Sequence, residues 1–331
     1  MKPQPTPSAD ASPASNDGAR QDRTMHEIHN SAALRVYWSG GVGDAVVVTF
    51  SHVGHGDADG EFFARTVVEK LGLPAIGIVD RHDAWFPAEA MRAAIGEIRA
   101  RIAAFREVVL FGSSMGGYGA LRWSRDLQAT TVIAWAPQWS ISPNDVGDAD
   151  RRYRRFYVPG LHDGMAVTHD AVDGRAFVFF DPCEPPDRFQ AGRLAAVAPD
   201  RVRLVPMPRL GHEVGHAFAA SATIRDLISV CRHGSAGEAV AFALGARRRS
   251  PRRVVGVSCA LLDRRAACAH RLFEAVEHRL PENLRLSWIE AAADAAHRAD
   301  DRVRLAALVA KATGFARTAP ERVQRLVERL G

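Results

Sequence analysis

From Leu34 to about Ile228, short runs of β-branched and aromatic residues alternate with stretches of helical period. That is the order expected when crossover helices join parallel strands. Strands are predicted over residues 34–38, 45–50, 75–79, 107–111, 131–135, 176–180 and 202–207. Several of these are apolar on both faces, as strands buried inside a parallel sheet are. Between the third and fourth, Met91, Ile95, Ile98, Ile102 and Phe105 recur at intervals of four and three. This spacing predicts one helix with a single apolar stripe for the sheet, and Pro87 suits its first turn.

Beyond Cys231 the pattern changes. Segments 236–245, 254–279, 284–299, 302–313 and 320–330 are rich in Ala, Leu, Arg and Glu at helical spacing, with no strand signal among them. An appended α-helical region is predicted over 233–331. Its paired helices suggest a helical-hairpin array, but no consensus repeat stands at the required positions. The stretch ARRRSPRR, 246–253, reads as a solvated linker. Residues 1–25 lack an apolar central stretch, so they read as a disordered arm and not as a secretory signal. The predicted organisation is an arm (1–25), an α/β domain with a doubly wound, mostly parallel sheet (26–232) and the helical region.

Composition alters this picture little. The chain of 331 residues has 43 basic against 38 acidic side chains, a surplus too small to argue for a nucleic-acid partner. No run of 18 apolar residues occurs, so no membrane span is expected and a cytoplasmic location follows as the default. Cys183, Cys231, Cys259 and Cys268 form no C-x-x-C pair, which predicts free thiols and neither a zinc site nor a redox motif.

The chemistry concentrates in VVLFGSSMGGYGALRWS, 108–124. A hydrophobic strand runs into Gly112-Ser113-Ser114-Met115-Gly116, which satisfies G-x-S-x-G, and a helix-compatible run follows at once. A serine on so sharp a strand-to-helix turn needs small neighbours two residues away on either side. The turn sets Ser114 at the positive end of the helix and aims the N–H of Met115 at a developing oxyanion. No Lys follows, which argues against a phosphate-binding loop.

On this segment and its flanking strand, the region from about 34 to 230 resembles an α/β-hydrolase domain. With Trp85, FGSSMGGYGAL and APQWSISP (136–143), it is also similar to bacterial proteins of poorly defined substrate, some of them associated with surface polysaccharide. The resemblance implies the chain order serine, acid, histidine. His212, directly after Gly211 and the last predicted strand, is then the expected histidine. His216, expected in the first turn of the next helix, is the lesser alternative. The loop after strand 176–180 offers Asp181, Glu184 and Asp187, in that order of expectation, with Asp187 read chiefly as an N-cap. The second oxyanion donor is expected from Ser51-His52-Val53-Gly54-His55-Gly56, through the N–H of Val53 or Gly54. His52 and His55 read poorly as metal ligands.

The resemblance also implies a cap segment, here 137–174. Its run Arg151-Arg152-Tyr153-Arg154-Arg155-Phe156-Tyr157 could greet an anionic or sugar-like substrate, although a surface strip with its arginines in water is the plainer reading. Trp85, Trp135 and Trp139 line the same cleft or fill the core. The expected activity is that of a serine hydrolase on an ester or similar acyl bond of a small molecule or saccharide, with Ser114, His212 and Asp181 as the triad and Met115 and Val53 at the oxyanion. No cofactor and no metal are expected. The alternatives are acyl transfer to a sugar hydroxyl, or a non-catalytic binding module whose C-terminal helices dock a protein partner.

Overall fold

In a computed structural model, residues 25–41 and 43–330 are described. Apart from Met25, the predicted N-terminal arm lies outside them. The strands are β1 (Met25–Asn30), β2 (Leu34–Ser39), β3 (Ala45–Phe50), β4 (Ala75–Asp80), β5 (Glu107–Ser113), β6 (Thr131–Trp135), β7 (Arg175–Phe180) and β8 (Val202–Pro206). They form one sheet of order β1-β2-β4-β3-β5-β6-β7-β8. Pairing is parallel from β4 across to β8, and β2 runs against both of its neighbours.

Each of the seven predicted strands is present. The eighth, β1, carries the sequence MHEIHN, is half-buried or exposed throughout, and pairs only along the sheet edge. At this edge only Ile28 and Met25 pack against the two cores, so the strand needs no apolar alternation and left no signal.

The helices flanking the sheet are α1 (Arg65–Leu71), α2 (Ala88–Ile102), α3 (Met115–Arg122), the single turn α4 (Pro143–Val146), α5 (Pro185–Val197) and α6 (Ser221–His233). Alternate residues of the central strands feed two separate cores. Val46, Val48, Leu110 and Val132 pack with Met91 and Ile98 of α2. Val47, Val109, Phe111 and Ile133 pack with Val68 of α1 and Leu227 of α6. Both faces are therefore covered, as a doubly wound sheet requires.

Five helices follow: α7 (Ala236–Arg249), α8 (Pro251–Glu277), α9 (Glu282–Arg298), α10 (Arg302–Thr313) and α11 (Pro320–Leu330). The predicted linker at 246–253 is corrected here, because it is the end of α7 and the start of α8, with only Ser250 between them. Arginine is a good helix former, and Pro251 stands at a first-turn position where its missing N–H costs nothing. Helix α7 packs Ala239, Ala243 and Ala246 into the second sheet core, whereas α8 to α11 build their own core around Leu262, Phe273, Trp288, Ile289 and Leu308, with Phe273 and Trp288 stacked at 3.9 Å. No helix among the described residues is long and apolar enough to cross a membrane.

Candidate active site

Ser114 lies between β5 and α3 with φ 53° and ψ −118°, a strained conformation for a residue with a side chain. The strain is held by the sheet: Ser114 N–H donates to Trp135 O at 2.7 Å, and Tyr118 N–H donates to Ser114 O at 3.0 Å. A Cβ on Gly112 would run into the Gly116 carbonyl, and one on Gly116 into the Phe50 carbonyl. Only glycine lets the strand, the turn and the helix close this tightly. Met115 opens α3, so its N–H is one of the free donors at the positive helix end.

The loop after β8 carries His212, with Arg209 and Gly211 at positive φ. His212 Nε2 stands 3.0 Å from Ser114 Oγ, and His212 Nδ1 stands 2.9 and 3.0 Å from the two Asp187 oxygens. With the Nδ1 proton donated to Asp187, Nε2 is left to accept the serine proton.

The expected acid is corrected by this geometry: the structure does not bring Asp181 to the imidazole. Both Asp181 oxygens are taken by backbone donors, Cys183 N–H at 2.8 Å, Leu210 N–H at 2.8 Å and Gly211 N–H at 2.7 Å. Asp181 thus ties the strand end to the histidine loop. Nor is Asp187 the N-cap, since Glu184 holds that position, Pro185 follows, and Asp187 sits in the first turn of α5 with its side chain 1% exposed. Burial, then the Asp181 and Asp187 charges, push the Glu184 carboxyl above its usual range. His216 lies in a 3-10 turn over 214–218, ahead of α6 and not within it, and pairs with Glu213 at 3.1 Å.

The cap segment contributes more than its sequence indicated. Arg151 and Arg154 turn outward to Asp148. Arg152 instead turns inward and bridges two buried carboxylates, Asp150 and Asp187, each at 2.7 Å. Burial opposes the Arg152 charge, but the Asp150 hydrogen bonds and the Asp187 field outweigh it and hold its pKa above the usual value. Arg152 Nη1 also lies 3.3 Å from His212 Nδ1. Both nitrogens carry protons in this arrangement, so Asp187 is the shared acceptor between them.

Tyr153 Oη stands 3.2 Å from Ser114 Oγ and 3.1 Å from His212 Nε2. Gln138, fully buried after β6, donates from Nε2 to Ser114 Oγ at 3.2 Å and to Ala136 O at 3.2 Å. Its oxygen accepts the indole N–H of Trp85 at 3.2 Å, which fixes the orientation of the amide. Trp85 is itself held at φ 54° by the loop after β4, where the Asp80 carboxylate accepts N–H bonds from His82, Ala84 and Phe86. Gln138, Asp150, Arg152 and Tyr153 were not assigned to the site from sequence. The Arg-Arg-Tyr-Arg-Arg run marked the right segment but not which side chains turn inward.

A cavity of about 570 Å³ opens at Ser114. Phe63, Phe111, Trp135, Phe218 and Ile224 make its wall apolar, and His52 also lines it. Trp85 and Trp139 are buried away from this wall, and Trp139 donates its indole N–H to Val167 O. Of the two expected oxyanion donors on the His52–His55 loop, the Gly54 N–H is engaged by the Asp83 carboxylate at 3.0 and 3.1 Å. Val53 lines the cavity. Burial, then the neighbouring His52, lower the pKa of His55. Among the described residues no group of three or more His, Cys, Asp or Glu could hold a metal ion.

The sheet order, with its reversed second strand, and the strained serine between the fifth strand and the following helix define the α/β-hydrolase fold. Among solved structures the chain is similar to a capsule O-acetyltransferase of Neisseria meningitidis serogroup A, at 13% identity over 60% of this chain and 93% of that one, with a TM-score of 0.44. It is similar also to a thermophilic esterase from Thermogutta terrifontis, at 16% identity over 63% and 95% with a TM-score of 0.44. A dienelactone hydrolase from Anabaena variabilis matches at 15% identity over 63% and 96%, with a TM-score of 0.43. No family model matches the chain, and no curated protein matches it.

Proposed function

We propose that the protein is a serine hydrolase that cleaves carboxylic esters through an acyl-enzyme on Ser114. The observation that carries this reading is the unbroken hydrogen-bond chain from Ser114 Oγ through the His212 ring to Asp187. His212 takes the serine proton as Oγ attacks the acyl carbon, and Asp187 holds the ring and stabilises its protonated form. The N–H groups of Met115 and Val53 receive the oxyanion. His212 then protonates the departing alcohol, and water takes the alcohol's place, loses its proton to His212 and releases the acid from Ser114.

The cavity wall supports an apolar acyl group, since Val53, Phe63, Phe111, Trp135, Phe218 and Ile224 are among its lining side chains and no Lys or Arg is. A continuous serine–histidine–carboxylate chain beside an open cavity favours turnover over a silent binding module. Purified protein is expected to hydrolyse p-nitrophenyl esters of aliphatic acids. Ser114→Ala is expected to remove at least about 10³-fold of that activity, the usual scale for loss of the nucleophile. Full turnover in Ser114→Ala would refute the assignment.

A further inference from the structure

We infer that Tyr153 is a catalytic residue on the alcohol side of the reaction, donating a hydrogen bond to the alcohol oxygen as it leaves the acyl carbon and later to the oxygen that attacks the acyl-enzyme. The inference rests on the serine-hydrolase reading and extends it to the kind of alcohol the enzyme releases.

Three groups surround Ser114 Oγ at nearly equal range: His212 Nε2 at 3.0 Å, Tyr153 Oη at 3.2 Å and Gln138 Nε2 at 3.2 Å. A serine hydroxyl has one proton and two lone pairs. Gln138 is fixed as a donor by Trp85, and the serine proton belongs to His212, so the remaining lone pair accepts from Tyr153. Tyr153 Oη is also 3.1 Å from His212 Nε2. Its oxygen therefore occupies the third corner of a triangle whose other corners are the nucleophile and the base.

That corner has a defined use in acyl transfer. The leaving oxygen must be bonded to the carbon that Ser114 has attacked and must also reach His212 Nε2 for its proton. An alcohol arriving or departing between these groups meets the Tyr153 hydroxyl as a second donor beside His212 Nε2.

As the tetrahedral intermediate collapses, the carbon–oxygen bond to the alcohol breaks and its electron pair stays on that oxygen. The proton comes from the His212 imidazolium. Tyr153 donates a hydrogen bond to the developing alkoxide and keeps its own proton, consistent with burial raising its pKa. In deacylation the same donor meets the attacking water while His212 takes its proton.

The ring is held for this position. Trp85 meets it edge-on at 5.2 Å, and the Arg152 guanidinium lies 5.2 Å from its centre, anchored on Asp150 and Asp187. A donor built for the alcohol oxygen matters most for alcohols that leave badly, so the substrate class it fits is the ester of an unactivated alkyl or sugar alcohol.

The test compares two esters of one aliphatic acid, an alkyl ester and a p-nitrophenyl ester, with wild-type protein and Tyr153→Phe. Nitrophenolate leaves without help. The expected result is that Tyr153→Phe lowers kcat/KM for the alkyl ester about 10-fold or more beyond its effect on the p-nitrophenyl ester, the scale of one hydrogen bond to a charged group. Equal losses on both esters, or no loss on either, would overturn the inference while leaving the hydrolase reading in place. Fluorophosphonate labelling of Ser114 in Tyr153→Phe, together with an unchanged melting temperature, separates a chemical effect from misfolding. If misfolding is found, Tyr153→Trp and Tyr153→Leu must show the same ester-dependent ratio, or the inference falls. Wild-type protein that neither turns over nor labels at Ser114 would overturn both readings together.

Discussion

The nucleophile elbow and the cap segment both deliver atoms to Ser114 Oγ, by opposite means. At the elbow the backbone does the work, because a strained φ, two glycines without room for a Cβ and a helix end fix the serine and the Met115 N–H. In the cap, long polar side chains do it: Tyr153 and Gln138 reach the serine, while Arg152 is pinned between two buried carboxylates. Backbone placement demands particular residues at fixed spacing, so it writes a motif into the sequence. Side-chain placement depends on which way a short irregular segment folds back, and many sequences can do that.

The largest expected effect separates two carboxylates that stand six residues apart. Asp187→Asn should lower kcat about 10³- to 10⁴-fold, because the imidazole loses its orienting charge, while the protein stays folded with Arg152 still paired to Asp150. Asp181→Asn should do the reverse. One of its oxygens becomes an NH2 facing backbone N–H donors, which costs about 2–3 kcal/mol in urea unfolding with a much smaller loss of turnover in the folded protein.

A smaller effect tests the cap. Arg152→Met leaves Asp150 and Asp187 buried without their shared cation and should cost about 2 kcal/mol, with faster hydrogen exchange over 150–157. The smallest effect concerns the link between the histidine loop and α8. Hydrogen bonding from His216, then the charge of Arg252, push the Glu213 carboxyl down to about 2. A carboxyl depressed in the folded state stabilises above its unfolded value, about 4.3, and loses that contribution as the pH falls toward the folded value. Melting temperatures of wild-type protein and Glu213→Gln should therefore differ at neutral pH and converge toward pH 2.

Much of this architecture was legible in the sequence. Seven strands, the helix carrying Met91 to Ile102 and the C-terminal helices follow from apolar periodicity, which burial enforces. Strand β1 escaped because its edge position makes no such demand. The 246–253 stretch was misread because clustered charge is compatible with a helix as well as with a hinge. At the site, Ser114 was marked by its glycines and His212 by its position after the last strand. The acid was not. Asp181, Glu184 and Asp187 stand together between the end of β7 and the first turn of α5, and which of them meets His212 depends on Asp181 being consumed by the N–H groups of Leu210 and Gly211, a contact across 29 and 30 residues. Trp85 and Gln138 are likewise 53 residues apart, joined only by the folded sheet.

His212 and Asp187 together activate Ser114 in the proposed reaction. The most direct measurement of this activation is the rate at which a fluorophosphonate modifies the protein, with the modified residue identified by peptide mass spectrometry. One label per chain is expected, on Ser114, absent in Ser114→Ala and slowed at least about 10²-fold in Asp187→Asn. A label on another residue, or Asp187→Asn reacting as fast as wild-type protein, would contradict it.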